Sequence, residues 1–119
     1  MAPEKADPAY LWDMLEAGKT ILTFTAQVTF EQYMADLKLR LAVERELEIV
    51  GEAAGKVSKT FREAHPEIPW AKIIAQRNIL IHAYGVIDHA RIWQVATLHL
   101  PVLLQQLTPL IPPLPSEQP

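Results

Sequence analysis

The residues with the most chemical capacity in this chain stand close together: Arg77, Asn78, His82 and Tyr84. Histidine takes or gives a proton near neutral pH. Arginine holds a phosphate through a bidentate fork and stabilises the charge that develops on it. Asparagine supplies an amide that can hydrogen-bond the His82 ring four residues on and set its tautomer. A phenol lies two residues after the histidine. A cation, an orientable imidazole, an amide and a phenol suit phosphodiester cleavage in RNA and need neither cofactor nor metal. Cysteine is absent, which removes disulfides, thiol nucleophiles and thiolate ligands. The spacing of His82, Asp88 and His89 matches no common ligand pattern, so no metal site is expected.

Placed on a helix, Trp70, Ile74, Arg77, Ile81 and Tyr84 share one stripe, and Asn78 and His82 share the next. Arg77 and His82 are separated by about 140° around that helix and diverge. One chain presents half a site, and two chains meeting across this helix would surround one groove with two arginines and two histidines. The residues alone leave a second account open. Arg77, in an apolar stripe, could pair with Glu48 or Glu52 at a helix interface, and His82 could be a satisfied residue near a helix end. His65 reads as a loop residue, His89 as a solvated helix start and His99 as a helix-surface residue.

The elements that must carry these residues are helical. Half of the 119 residues are hydrophobic, 21% are charged, and only four are glycine. That composition buries a core and disfavours a β sandwich or a glycine-rich nucleotide fold. Residues 9–65 contain no proline. Asp7-Pro8 suits a helix start, with Asp7 as cap, and Leu11, Leu15, Leu22 and Val28 continue it. Thr29 and Gln32 form a loose capping box for a short helix from Phe30 toward Asp36. Leu39, Val43, Leu47, Val50, Ala54, Val57 and Phe61 predict one long helix. Gly51 and Gly55 on it would let another backbone come close.

Residues 65–69, His-Pro-Glu-Ile-Pro, break the helix. The next helix runs from Trp70 to about Tyr84 and stops at Gly85. Asp88 caps a last long helix that Pro101 would kink or split. The expectation is an all-α bundle of four to five helices over residues 1–108, followed by a proline-rich tail over 109–119.

The formal charge is −3, but it is uneven. Nine acids face five bases through Gly51, and five acids face six bases beyond it. This leaves room for a local cationic site in the second half. The stretch from Ile92 to Ser116 lacks full charges, but glutamines, a histidine and prolines interrupt it, so no membrane span is expected. No targeting signal is visible, and a cytoplasmic location is expected.

Arg77-Asn78 through His82-x-Tyr84 resembles the R-N-x-x-x-H-x-Y motif of HEPN-domain ribonucleases, and more closely that of the HepT-like toxin family. Residues 47–54, Leu-Glu-Ile-Val-Gly-Glu-Ala-Ala, resemble that family's long-helix signature. Residues 66–70, Pro-Glu-Ile-Pro-Trp, with Ile73-Ile74 resemble the lead-in to its motif helix. Val86-x-Asp88 and Ile92-Trp93 resemble the family's stretch after the motif. The likeness covers roughly residues 8–107. Two positions depart from the family pattern: Ala83 stands where an acid is frequent, and Glu46 where asparagine is frequent.

The resemblance implies a HEPN-type bundle, a homodimer joined at the motif helices, and a metal-independent endoribonuclease with Arg77 and His82 as its catalytic pair and Asn78 in support. It also implies a toxin whose cognate antitoxin is a minimal nucleotidyltransferase of the MntA type, which transfers AMP to Tyr84. The rival expectations are a non-catalytic HEPN scaffold that binds nucleotide or a nucleotidyltransferase, and a plain helical dimerisation module.

Overall fold

The computed structural model describes residues 6–82 and 86–112. These residues form helices and no strand. In chain order the helices are α1 (Asp7–Thr25), α2 (Phe30–Ala35), α3 (Leu37–Lys56), α4 (Lys59–Ala64), α5 (Trp70–His82), α6 (His89–Gln94) and α7 (Leu100–Leu107). A π-helical turn, Val95–His99, joins α6 to α7, and a 3₁₀ turn, Thr108–Leu110, comes after α7. The all-α expectation holds, with α1, α3, α5 and α7 as the longer helices.

The central helix is α3, which packs on α1 along one side and on α5 along another. Its buried residues Val43, Leu47, Val50 and Ala54 repeat at helical spacing and meet Leu11, Met14 and Ile21 of α1. The apolar stripe of α7, with Leu100, Leu104 and Leu107, closes the core against α1.

Several starts are set by side chains as the sequence predicts. Thr29 Oγ1 accepts from the Gln32 amide at 3.1 Å and Gln32 Oε1 from the Thr29 amide at 2.9 Å, a complete capping box. Asp88 Oδ1 caps α6 by accepting from the Arg91 amide at 3.2 Å.

Three expectations are corrected. Asp7 is not the cap of α1; that place is taken by Ala6. The Asp7 carboxylate instead reaches across the fold and accepts from the Ser58 amide at 2.8 Å and the Ser58 hydroxyl at 2.6 Å. The same contacts explain the second correction. The predicted long helix does not run through to Phe61 but ends at Lys56, and Ser58 starts α4 by accepting from the Phe61 amide at 3.2 Å. With its own N–H given to Asp7, Ser58 cannot continue the i→i−4 ladder. Third, Val28 lies beyond α1, which ends at Thr25, in a turn where Gln27 adopts a φ of 60°.

Pro101 splits the last helix in a particular way. It occupies the first turn of α7. Just before it the ladder widens, and the Leu100 amide donates to the Val95 carbonyl, five residues back. Proline has no N–H to offer and its ring crowds the carbonyl of the preceding turn, so a π turn keeps the chain helical across it. Among the described residues, no helix is long and apolar enough to cross a membrane.

Candidate functional site

The start of α5 is fixed from both sides. The Trp70 indole donates to the His65 carbonyl at 2.9 Å, tying the helix to the linker before it. Gln106 of α7 donates to the Glu67 carbonyl at 3.0 Å, and Ile68 between them is buried. Phe61 lies against the His65 ring at 4.4 Å between centroids and meets Trp70 edge-on at 6.3 Å. The prolines that break the helix thus belong to an anchored linker.

From that start, α5 lies against α3 at Gly51. A Cβ on Gly51 would stand 2.3 Å from Arg77 Cβ and 3.1 Å from the Ile73 carbonyl oxygen. Only hydrogen fits there, so Gly51 sets how close α5 comes and where the Arg77 side chain begins. Gly55 has nothing within 4 Å of the same position. The expected close approach therefore belongs to Gly51 alone.

Arg77 is half-buried. Its Nη1 donates to Asn78 Oδ1 at 3.2 Å, and its Nε is buried without a hydrogen-bond partner. Among the described residues, no carboxylate lies within ion-pair distance of it. The two partners that a structural ion pair would use are engaged elsewhere, Glu48 with Arg45 at 3.7 Å and Glu52 with Lys56 at 3.5 Å. A buried guanidinium N–H without an acceptor is uncommon in a protein interior. Here it belongs to a cation seated by a glycine and steadied by the next side chain.

The Asn78–His82 hydrogen bond expected from the spacing is not formed. Asn78 Oδ1 serves Arg77, and His82 is exposed at the end of α5 with no hydrogen-bond partner among the described residues. Sequence adjacency wins because the guanidinium is charged and its fork reaches the neighbouring amide oxygen. Tyr84, Ala83 and Gly85 lie outside the described residues.

One cluster was missed in the sequence. His89 is half-buried at the start of α6, with Nδ1 3.6 Å from Glu44 Oε2 on α3, too long for a hydrogen bond but within reach of an ion pair. It is not a solvated helix start. Glu44 is 13% exposed. Burial raises its carboxyl above the ordinary value; His89 and Arg40 oppose the shift and Glu48 adds to it. Beneath lies Tyr33, whose buried hydroxyl has no partner; burial, with Glu44 adding, pushes its pKa up to about 12. The pair ties the start of α6 to α3. Glu44 and His89 sit on helices far apart in sequence, and no spacing rule joins them.

Among the described residues, the bundle thus seats Arg77 against Gly51 with no carboxylate in ion-pair reach and ends the same helix on exposed His82. The chain matches the family described as ribonuclease HepT-like over residues 14–110. A Thermococcus cleftensis protein named "Probable ribonuclease HepT" is 40% identical over 94 residues, 79% of this chain and 86% of that one. A Methanocaldococcus jannaschii protein named "Putative RNase" is 34% identical over 99 residues, 83% of this chain and 91% of its own. A Caldanaerobacter subterraneus protein, also named "Putative RNase", is 33% identical over 103 residues, 87% of this chain and 92% of its own. No solved structure matches the chain. The chain belongs to the HepT-like ribonuclease family.

Proposed function

We propose that this protein is a metal-independent endoribonuclease acting as the toxin of a toxin–antitoxin module in the cytoplasm. Its site comprises Arg77, His82 and Asn78 from each chain of a homodimer joined at α5. The observation that carries the reading is Arg77: a half-buried arginine with a free Nε–H and, among the described residues, no carboxylate partner, on the helix that ends in exposed His82. The ribose 2′-hydroxyl attacks the adjacent phosphorus and the 5′-oxygen leaves. His82 takes the proton from the hydroxyl or gives one to the leaving oxygen. Arg77 stabilises the phosphorane-like transition state, and Asn78 fixes the guanidinium plane. The products are a 2′,3′-cyclic phosphate and a 5′-hydroxyl.

Control acts on the same site. A cognate minimal nucleotidyltransferase of the MntA type transfers AMP from ATP to the Tyr84 hydroxyl and releases pyrophosphate. The added phosphodiester brings a negative charge that would compete with the RNA phosphate for Arg77. Incubation of purified, unmodified protein with RNA and excess chelator tests the reading. Cleavage to cyclic-phosphate ends is expected. Abolition by chelator, or intact RNA at high enzyme concentration, contradicts it and favours a non-catalytic scaffold.

A further inference from the structure

A cavity of about 230 Å³ opens between α3, α5, the α6–α7 joint and α7, away from the residues assigned above. Its floor is aliphatic, with Leu47 of α3, Ile73 of α5 and Leu103 of α7. Its rim carries Lys72 and Gln76 of α5, Arg91 of α6 and His99 of the π turn. No carboxylate lines it, and among the described residues the side chains of Lys72 and Arg91 have no ion-pair partner. Val95 and His99, at the two ends of the π turn, are on one wall, and such turns recur at functional sites.

Lys72 and Gln76 are four residues apart and share one flank of α5. Asn78, about 200° around the helix from Gln76, lies with His82 on the other flank. Arg77, Asn78 and His82 do not line the cavity, so its lining is distinct from the residues of the proposed RNA site. Among the described residues no Phe, Tyr or Trp lines it, and its single ring is the His99 imidazole at the rim, so it offers little platform for stacking a base. It is smaller than the pockets that take drug-sized ligands. Two uncompensated cations above a small aliphatic floor complement a single negative head on a short aliphatic body.

We propose that this cavity binds a small amphipathic anion, with its carboxylate or phosphate head between Lys72 and Arg91 and its aliphatic body on Leu47, Ile73 and Leu103. The inference does not depend on ribonuclease activity. Calorimetric titration of the full chain with sodium octanoate and with octyl phosphate tests it, with octanol and acetate as probes that lack the charge or the body. Saturable binding at one site per chain is expected for at least one of the first two, and the tighter of them identifies the head. Octanol and acetate should bind at least about tenfold more weakly, and Lys72→Gln and Arg91→Gln should each weaken binding about tenfold, as for loss of one charge-assisted hydrogen bond. Lys19→Gln, remote on α1, should leave it unchanged. Both substituted side chains at the rim are exposed, and circular dichroism checks that the fold is kept. Absence of saturable binding by octanoate and octyl phosphate overturns the proposal, even if a macromolecular partner covers the cavity. So does binding that neither substitution weakens.

Discussion

Four cations of α1, α3 and α4 are placed differently from three cations of α5 and α6. In the first group, Lys19, Arg45, Lys56 and Lys59 each stand three or four residues from a carboxylate they pair with, at 3.5–3.8 Å on largely exposed helix faces. Pairs of this kind contribute little to stability. In the second group, Lys72, Arg77 and Arg91 have no carboxylate partner among the described residues. The nearest acid in sequence to Arg91, Asp88, is occupied with a backbone amide. The first four are neutralised by acids of their own helices. Lys72, Arg77 and Arg91, like Lys38, Arg40 and Arg62, have no such partner among the described residues, and external anions are proposed above for the three on α5 and α6. The difference rests on where the acids fall: each of the first four reaches an acid three or four residues away on its own helix, and Lys72, Arg77 and Arg91 do not.

The largest effect should come from α5. His82→Ala removes the proton-transfer group from an exposed position, so cleavage should fall on the order of 10²-fold or more. Gel assays of RNA products over time read this, with a thermal melt to show that the fold is intact. Cleavage by His82→Ala at the wild-type rate would remove the histidine from the mechanism.

The seat of Arg77 is next. Gly51→Ala drives a methyl into Arg77 Cβ and the Ile73 carbonyl, and should destabilise by roughly 1–3 kcal/mol as overpacking while displacing Arg77 and slowing cleavage. Gly55→Ala, with open space around it, should stabilise by about 0.5–1 kcal/mol through helix propensity. Urea melts of the pair decide this. Equal effects would mean that Gly51 has no special place in seating α5.

An unpartnered polar atom is not by itself a site, and Tyr33 separates the two cases. Its hydroxyl is as unpartnered as Arg77 Nε, but the residue is wholly buried and no ligand can reach it. Tyr33→Phe should leave cleavage unchanged and stability within about 1 kcal/mol of wild type at neutral pH. The folded chain favours the neutral phenol, whose pKa rises from 10.0 to about 12. The stability it holds is complete below pH 10 and is lost as pH rises toward 12. Tyr33→Phe should show a smaller loss over that window in denaturant melts. An identical alkaline loss would place its origin elsewhere. The smallest effect belongs to the paired group: Lys19→Ala should change stability by no more than about 0.5 kcal/mol and cleavage not at all.

The local parts of this arrangement were legible in the sequence. Caps, the proline break and the helical stripe with Arg77 depend on neighbours within one or two turns, and Thr29–Gln32, Asp88 and residues 65–69 behave as their residue types dictate. Two errors arose where a distant partner overrode a local rule. Asp7 had the form of a cap but serves Ser58, and that contact ended a helix whose apolar seam read as continuous. Within the site, the residue types were legible but their partners were not. Asn78 bonds its neighbour and not His82. The Glu44–His89 pair and the Lys72–Arg91 rim each join separate helices, which only the packed fold brings together. Gly51 lies between the two cases. The need for a close approach was written in the sequence, whereas its being Arg77 that approaches was not.

Arg77 in this reading is held for an external anion and not for a structural ion pair. Single-turnover RNA cleavage by Arg77→Ala, measured beside its thermal melt, tests this most directly. Cleavage should fall on the order of 10²-fold, as for removal of a donor to developing charge, with a melting temperature near that of wild type because no carboxylate partner is stranded. A marked drop in melting temperature with cleavage by the folded fraction unchanged would contradict it, and would return Arg77 to the scaffold.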